Sequence, residues 1–211
     1  MPGDMKNVKI LLIAGGALLV GISVFLLGLQ AFGDEQQFKG SAIGTPAPQA
    51  MDFELQQPDG RSFRLEEQRG KVVLIYLGYT NCPDVCPATM GKYQQIAEEL
   101  GEDASNVVFV LITVDPDRDT GEVLATYMDR FNLDFVGLTG PLEELQRVWV
   151  GYGAGTPYHQ EVDSEIGYTV EHSTRVWVID KEGNLRITFP LEMTAGDMAH
   201  DVKLLLAELG C

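Results

Sequence analysis

The chain has 211 residues and carries 15 Lys+Arg against 31 Asp+Glu, a formal net charge of −16 at pH 7. Nucleic-acid binding needs a basic footprint, so this balance argues against it. The length leaves room for one ordinary domain and something extra.

The extra comes first. Residues 10–32, "ILLIAGGALLVGISVFLLGLQAF", run for 23 residues without a charge. At about 1.5 Å per residue this crosses a hydrocarbon core of about 30 Å with some tilt. A cleaved signal peptide is the competing reading, but its apolar part typically spans only about 7–15 residues. The sequence therefore predicts a single-pass transmembrane helix, with residues 1–33 as an uncleaved anchor. Lys6 and Lys9 precede the run, and Asp34 and Glu35 follow it. The positive-inside rule then leaves the N-terminus in the cytoplasm and exports the rest. The expected place is the bacterial inner (plasma) membrane, with the C-terminal domain on the periplasmic side.

Residues 34–50 are polar, with Gly and Pro, and read as a linker and entry segment. One domain is expected over 51–211. Residues 53–65 look like a hairpin turning at Pro58-Asp59-Gly60. "KVVLIYLGY" (71–79) is a continuous apolar run, as in a strand buried on both faces. A helix follows over 88–100, and a second buried strand over 106–114. An amphipathic helix is expected over 120–131, with Thr120 as its cap. A short strand (135–140) precedes a helix over 141–150 that opens with Pro141 at the first helical position. Residues 151–171 carry no strong pattern and read as a long insertion, a kind of segment more often functional than idle. Two strands joined by "KEG" (173–180 and 184–191) and a last helix over 194–209, with Thr194 and Asp197 spaced as a capping box, complete the chain. Parallel βα units followed by an antiparallel hairpin and a helix predict an α/β fold, a thioredoxin-like mixed sheet flanked by helices.

Chemistry concentrates in "YTNCPDVCP" (79–87), which leaves a buried strand and opens a helix. Cys82 and Cys86 are neighbours in either helical or turn geometry, and the positive end of the helix favours thiolate. Three uses compete. A structural bridge over so short a loop gains little chain entropy. A redox-active disulfide remains sterically open at this spacing. A metal is the third use, since two thiolates make a soft site suited to Cu(I). Further ligands must come from three histidines. His200 lies inside the last helix, His159 lies in the insertion, and His172 stands just before a buried strand, close in such a sheet to the start of the cysteine helix.

"YTNCPDVCP", "ITVDPDRDT" (112–120) and "EHSTRVWVID" (171–180) occur in the order found in the Sco/SenC family, and the chain from about residue 45 onward resembles that family. Glu171 stands where its members often have Asp. The resemblance implies a thioredoxin-like copper metallochaperone that delivers copper to the CuA site of cytochrome c oxidase. It assigns Cys82, Cys86 and His172 as metal ligands for Cu(I), and for Cu(II) as well. It places Asp115, and more loosely Asp84, in the surroundings of the site. Its implied partners are a CuA-bearing oxidase subunit and an upstream copper donor or thiol–disulfide reductant. The alternative is a thiol–disulfide reductase that keeps the oxidase copper-site cysteines reduced, with Cys82 and Cys86 as the redox pair. No proline precedes "RVWVID", where thioredoxin-like oxidoreductases keep a substrate-binding cis-proline. Cys211 is assigned no role.

Overall fold

In the apolar runs at 71–79 and 106–114, every strand residue is buried. These runs form the centre of the molecule as β4 (Val72–Gly78) and β5 (Val107–Thr113). They pair in parallel, from Val72 opposite Val107 to Gly78 opposite Thr113. Each fully buried Val, Leu or Ile side chain is worth about 1.5–3 kcal/mol relative to exposure, so this pair anchors the fold. The structure, a computed structural model, describes residues 37–132, 134–161 and 167–208.

Around that pair lie four more strands: β1 (Ser41–Ala42), β6 (Val136–Leu138), β9 (Val176–Ile179) and β10 (Leu185–Phe189). The sheet order is β1-β10-β9-β4-β5-β6, with β9 antiparallel to β4 and β6 parallel to β5. Tyr76 near the end of β4 faces Val176 at the start of β9. That register brings the loop after β4, which carries the cysteines, beside the loop before β9, which carries His172. The mixed α/β sheet expected from the element order is the sheet observed.

Among the described residues four α-helices accompany it: α1 (Val85–Leu100), α2 (Gly121–Met128), α3 (Leu142–Gly151) and α4 (Ala195–Ala207). Thr120 caps α2 by accepting from the Val123 N–H at 3.3 Å. Thr194 caps α4 by accepting from the Asp197 N–H at 3.1 Å, and its hydroxyl donates to the Asp197 carboxylate. Pro141, expected at the first helical position, is instead the N-cap residue of α3, because its ψ of 139° is extended.

The expected hairpin at 53–65 is present as β2 (Glu54–Gln56) and β3 (Ser62–Arg64), in a two-stranded sheet of its own. Two findings depart from the sequence reading. The segment 38–50, read as linker and entry, is fastened to the domain. β1 pairs with β10, and the Lys39 and Gly40 N–H groups donate to the buried Asp201 carboxylate. Residues 38 onward accordingly fall in one compact unit. The insertion at 151–171 contains a hairpin, β7 (Tyr158–Glu161) paired with β8 (Tyr168–Glu171). Its strands are polar, and of their eight residues only Val170 is buried, so the alternation that reveals a strand is missing. The expected anchor at 1–33 and Cys211 lie outside the described residues. Among the described residues no helix is long and apolar enough to cross a membrane.

Candidate metal centre

Helix α1 begins at Val85, between the two prolines, with Asp84 as its N-cap residue. Pro87 sits in the first turn, where a missing N–H costs nothing because those donors have no intrahelical partner. The Asp84 side chain makes no cap hydrogen bond and is exposed. A sulfur caps in its place: the Cys86 N–H donates to Cys82 Sγ at 3.4 Å. Cys82 is nearly buried and Cys86 fully so, and neither is in a disulfide.

The two thiols differ. The Cys86 thiol, His172 and the backbone N–H groups of Asp84 and Cys86 all act on the Cys82 sulfur, holding its pKa down at about 3. Cys86 moves the opposite way. Its hydrogen bond to Cys82 and its burial push its pKa well above the ordinary thiol value. Cys82 is thus the thiolate and Cys86 the proton-bearing partner in the metal-free protein. Tyr76, at the end of β4, donates its hydroxyl to Cys86 Sγ at 3.6 Å. Gly78 makes room for this packing, since a Cβ there would lie 2.6 Å from the Tyr76 ring and 3.2 Å from Cys86 Sγ.

His172 follows β8 directly. Its Nε2 lies 3.6 Å from Cys86 Sγ, and its Nδ1 lies 2.8 Å from the Ser173 carbonyl oxygen. A carbonyl only accepts, so Nδ1 carries a proton, and Nε2 is the nitrogen turned toward the sulfurs. The ring stands edge-on to Tyr76 and Tyr79, at centroid distances of 5.9 and 5.6 Å. The ligand atoms of Cys82, Cys86 and His172 all lie within 4.8 Å of one another. Two thiolates and an imidazole form a soft donor set.

The other sequence candidates fall around this cluster. Asp115 is fully buried just beyond β5 and accepts from Arg118 and from the Tyr168 hydroxyl. Asp84 adds a backbone N–H toward Cys82, while its carboxylate points to no partner named in the site. His159 stacks on Tyr168, with ring centroids 4.7 Å apart. His200 sits against Asp201, on the helix that holds the entry segment.

Sequence reasoning passed over Asp119, although it stands in the quoted "DPDRDT" run. It is fully buried and accepts from the Thr80 N–H, the Thr80 hydroxyl and the Thr113 hydroxyl, tying the cysteine loop to β5. Burial raises its pKa above the usual carboxylate value. Arg118 stands in the same run and was likewise given no role. In space its guanidinium is 5.8 Å from the Tyr79 ring.

The family model described as SCO1/SenC matches residues 42–207. A SCO2-like protein of Rickettsia felis is 30% identical over 198 residues, covering 93% of this chain and 96% of that protein. A SCO2-like protein of Rickettsia prowazekii is 34% identical over 146 residues, 69% of this chain and 71% of that one. Among solved structures, copper-bound ScoI of Bradyrhizobium japonicum superposes with a TM-score of 0.66 at 32% identity, covering 74% of this chain and 99% of that one. Copper-bound yeast Sco1 gives 0.67 at 26% identity, covering 74% and 87%.

Proposed function

The chain belongs to the SCO1/SenC family, and from that premise we propose that it binds copper through Cys82, Cys86 and His172 and delivers it, as a metallochaperone, to the CuA site of cytochrome c oxidase. The observation that carries this reading is the convergence of two sulfurs and one imidazole nitrogen within 4.8 Å. Relatives of the same family with copper bound support it. The donor chemistry fits the cargo: thiolates favour Cu(I), and a trigonal Cys₂His set also accommodates Cu(II).

The residues divide the work. Cys82, already a thiolate, is the entry ligand for Cu(I). Cys86 must lose its proton on loading, so uptake releases a proton into the site. The Tyr76 hydroxyl stays within reach of the Cys86 sulfur. His172 closes the third position from a separate element, and its departure would open the site for transfer to an acceptor's ligands. The uncharged run at 10–32, with lysines before it and acids after it, supports a single-pass anchor with the domain on the periplasmic side. An anchor in the membrane that also holds the oxidase would raise the effective concentration of donor and acceptor.

The thiol asymmetry favours a second reading. An ionised, slightly accessible Cys82 beside a protonated, fully buried Cys86 is the pattern of an attacking and a resolving thiol. Cys82 would attack a disulfide in the acceptor, and Cys86 would then close on Cys82. The acceptor is left with two thiols and this chain with one disulfide.

One experiment separates the two. Copper-loaded protein is mixed with a reduced, metal-free CuA domain, and metal-free protein with the same domain oxidised. Copper recovered on the separated acceptor domain after the first mixture, dependent on Cys82 and Cys86 and changed in rate by His172→Ala, supports the chaperone. Thiol release in the second mixture alone, indifferent to His172→Ala, supports the reductase and sinks the delivery reading.

A further inference from the structure

His172 is carried by a hairpin with little apolar anchorage, since Val170 is its one buried strand residue among those described. Polar contacts must therefore hold it. One is the Val170 N–H, which donates to the Tyr79 hydroxyl at 3.2 Å. The larger fastening centres on Arg118. Its guanidinium carbon lies 3.5 Å from the Tyr168 ring centroid, and its Nη1 donates to the Tyr168 carbonyl oxygen at 3.0 Å. Its Nε donates to Asp115 Oδ2 at 2.5 Å, and the Tyr168 hydroxyl donates to Asp115 Oδ1 at 2.8 Å. Asp115 is itself fully buried and held by its N–H donating to the Thr113 hydroxyl at the end of β5. The three side chains form a closed ring that joins the hairpin to the central sheet. Tyr79 stands between this ring and His172, contacting both.

We propose that Arg118 is a positioning residue: with Asp115 and Tyr168 it latches the β7–β8 hairpin to β5, and so sets how firmly His172 is presented to the two cysteines and how readily the cargo leaves. The second half rests on the copper reading; the latch itself does not. Arginine suits the task because one planar group stacks on a ring, pairs with a carboxylate and donates to a carbonyl at once, which lysine cannot reproduce. Opening the latch frees His172 and leaves a two-thiolate site, from which an acceptor can draw copper.

The test has a metal-free arm and a copper arm, on the wild type, Arg118→Ala, Arg118→Lys and Tyr168→Phe. In the metal-free arm, amide hydrogen exchange is followed over 158–161 and 168–172 and over β4 and β5. Arg118→Ala is expected to speed exchange in the hairpin by about tenfold or more and to leave the two strands unchanged, with lysine restoring only part. In the copper arm, the rate of Cu(I) capture by a chelator is measured with and without His172→Ala. Arg118→Ala is expected to speed capture about tenfold, and to lose that effect once His172 is gone. Unchanged hairpin exchange, or an equal effect on capture in the two backgrounds, overturns the proposal. If Arg118→Ala unfolds because Asp115 is left buried without its cation, Tyr168→Phe decides. It keeps the ion pair and removes one side of the ring, and it should loosen the hairpin by a smaller factor. A wild type that holds no Cu(I) would defeat the copper reading and leave the exchange arm to judge the latch.

Discussion

The two halves of the candidate site are held by opposite means. Cys82 and Cys86 stand on the junction of β4 and α1, where a seven-residue strand is buried from end to end and Asp119 ties the loop down. His172 stands at the end of a hairpin whose strands are mostly exposed and whose attachment is a ring of polar and aromatic contacts. The first half is rigid because moving it would disrupt the core. The second can move at the cost of a few hydrogen bonds. Under the proposed copper reading, that difference sets two sulfurs on a fixed platform beside a third ligand that can let go.

The largest effect expected from attacking this contrast is on the rigid side. Leu111→Ala, at a fully buried position of β5, should cost about 2–5 kcal/mol in urea denaturation, because the cavity cannot collapse between paired strands. Next comes Asp119→Ala, which leaves the Thr80 N–H and two hydroxyls without their acceptor. A loss of about 1–3 kcal/mol is expected, with faster alkylation of Cys82 as its loop loosens.

The pH dependence should follow the thiols. The pKa of Cys82 is depressed to about 3, so its contribution to stability is complete above the ordinary thiol value and is lost as pH falls toward about 3. In the metal-free protein its alkylation should therefore stay fast between about pH 8 and 5, where an ordinary thiol slows about tenfold per unit. Cys86, buried and shifted upward, should stay unmodified throughout. Smallest of all is Tyr158→Ala on the exposed face of β7, expected to change stability by less than about 0.5 kcal/mol in thermal denaturation. A loss as large as that of Asp119→Ala would mean the hairpin is part of the core, and would erase the contrast.

The rigid half was readable in the sequence, and the mobile half only in part. Continuous apolar runs such as "KVVLIYLGY" have a simple physical cause and announce buried strands. The place of Cys82 and Cys86 after one of them followed directly. His172 was found because it precedes another such run and matches a family motif. The hairpin beneath it was missed because "YHQE" and "YTVE" bury a single side chain, and no periodicity records that. Arg118 and Asp119 were quoted within a motif yet given no task. Their partners, Tyr168 and Thr80, lie 50 and 39 residues away in sequence, and only the closed sheet joins them. The segment 38–50 read as a linker because its fastenings are backbone donors to a distant aspartate, which composition does not reveal.

The most direct test of the central claim is the X-ray absorption fine structure of the Cu(I)-loaded protein beside its His172→Ala variant. The account predicts two sulfur neighbours and one imidazole nitrogen in the wild type, with the nitrogen absent and both sulfurs retained in the variant. Identical spectra from the two proteins, or a wild type with sulfur neighbours only, would contradict a site shared between the core and the hairpin.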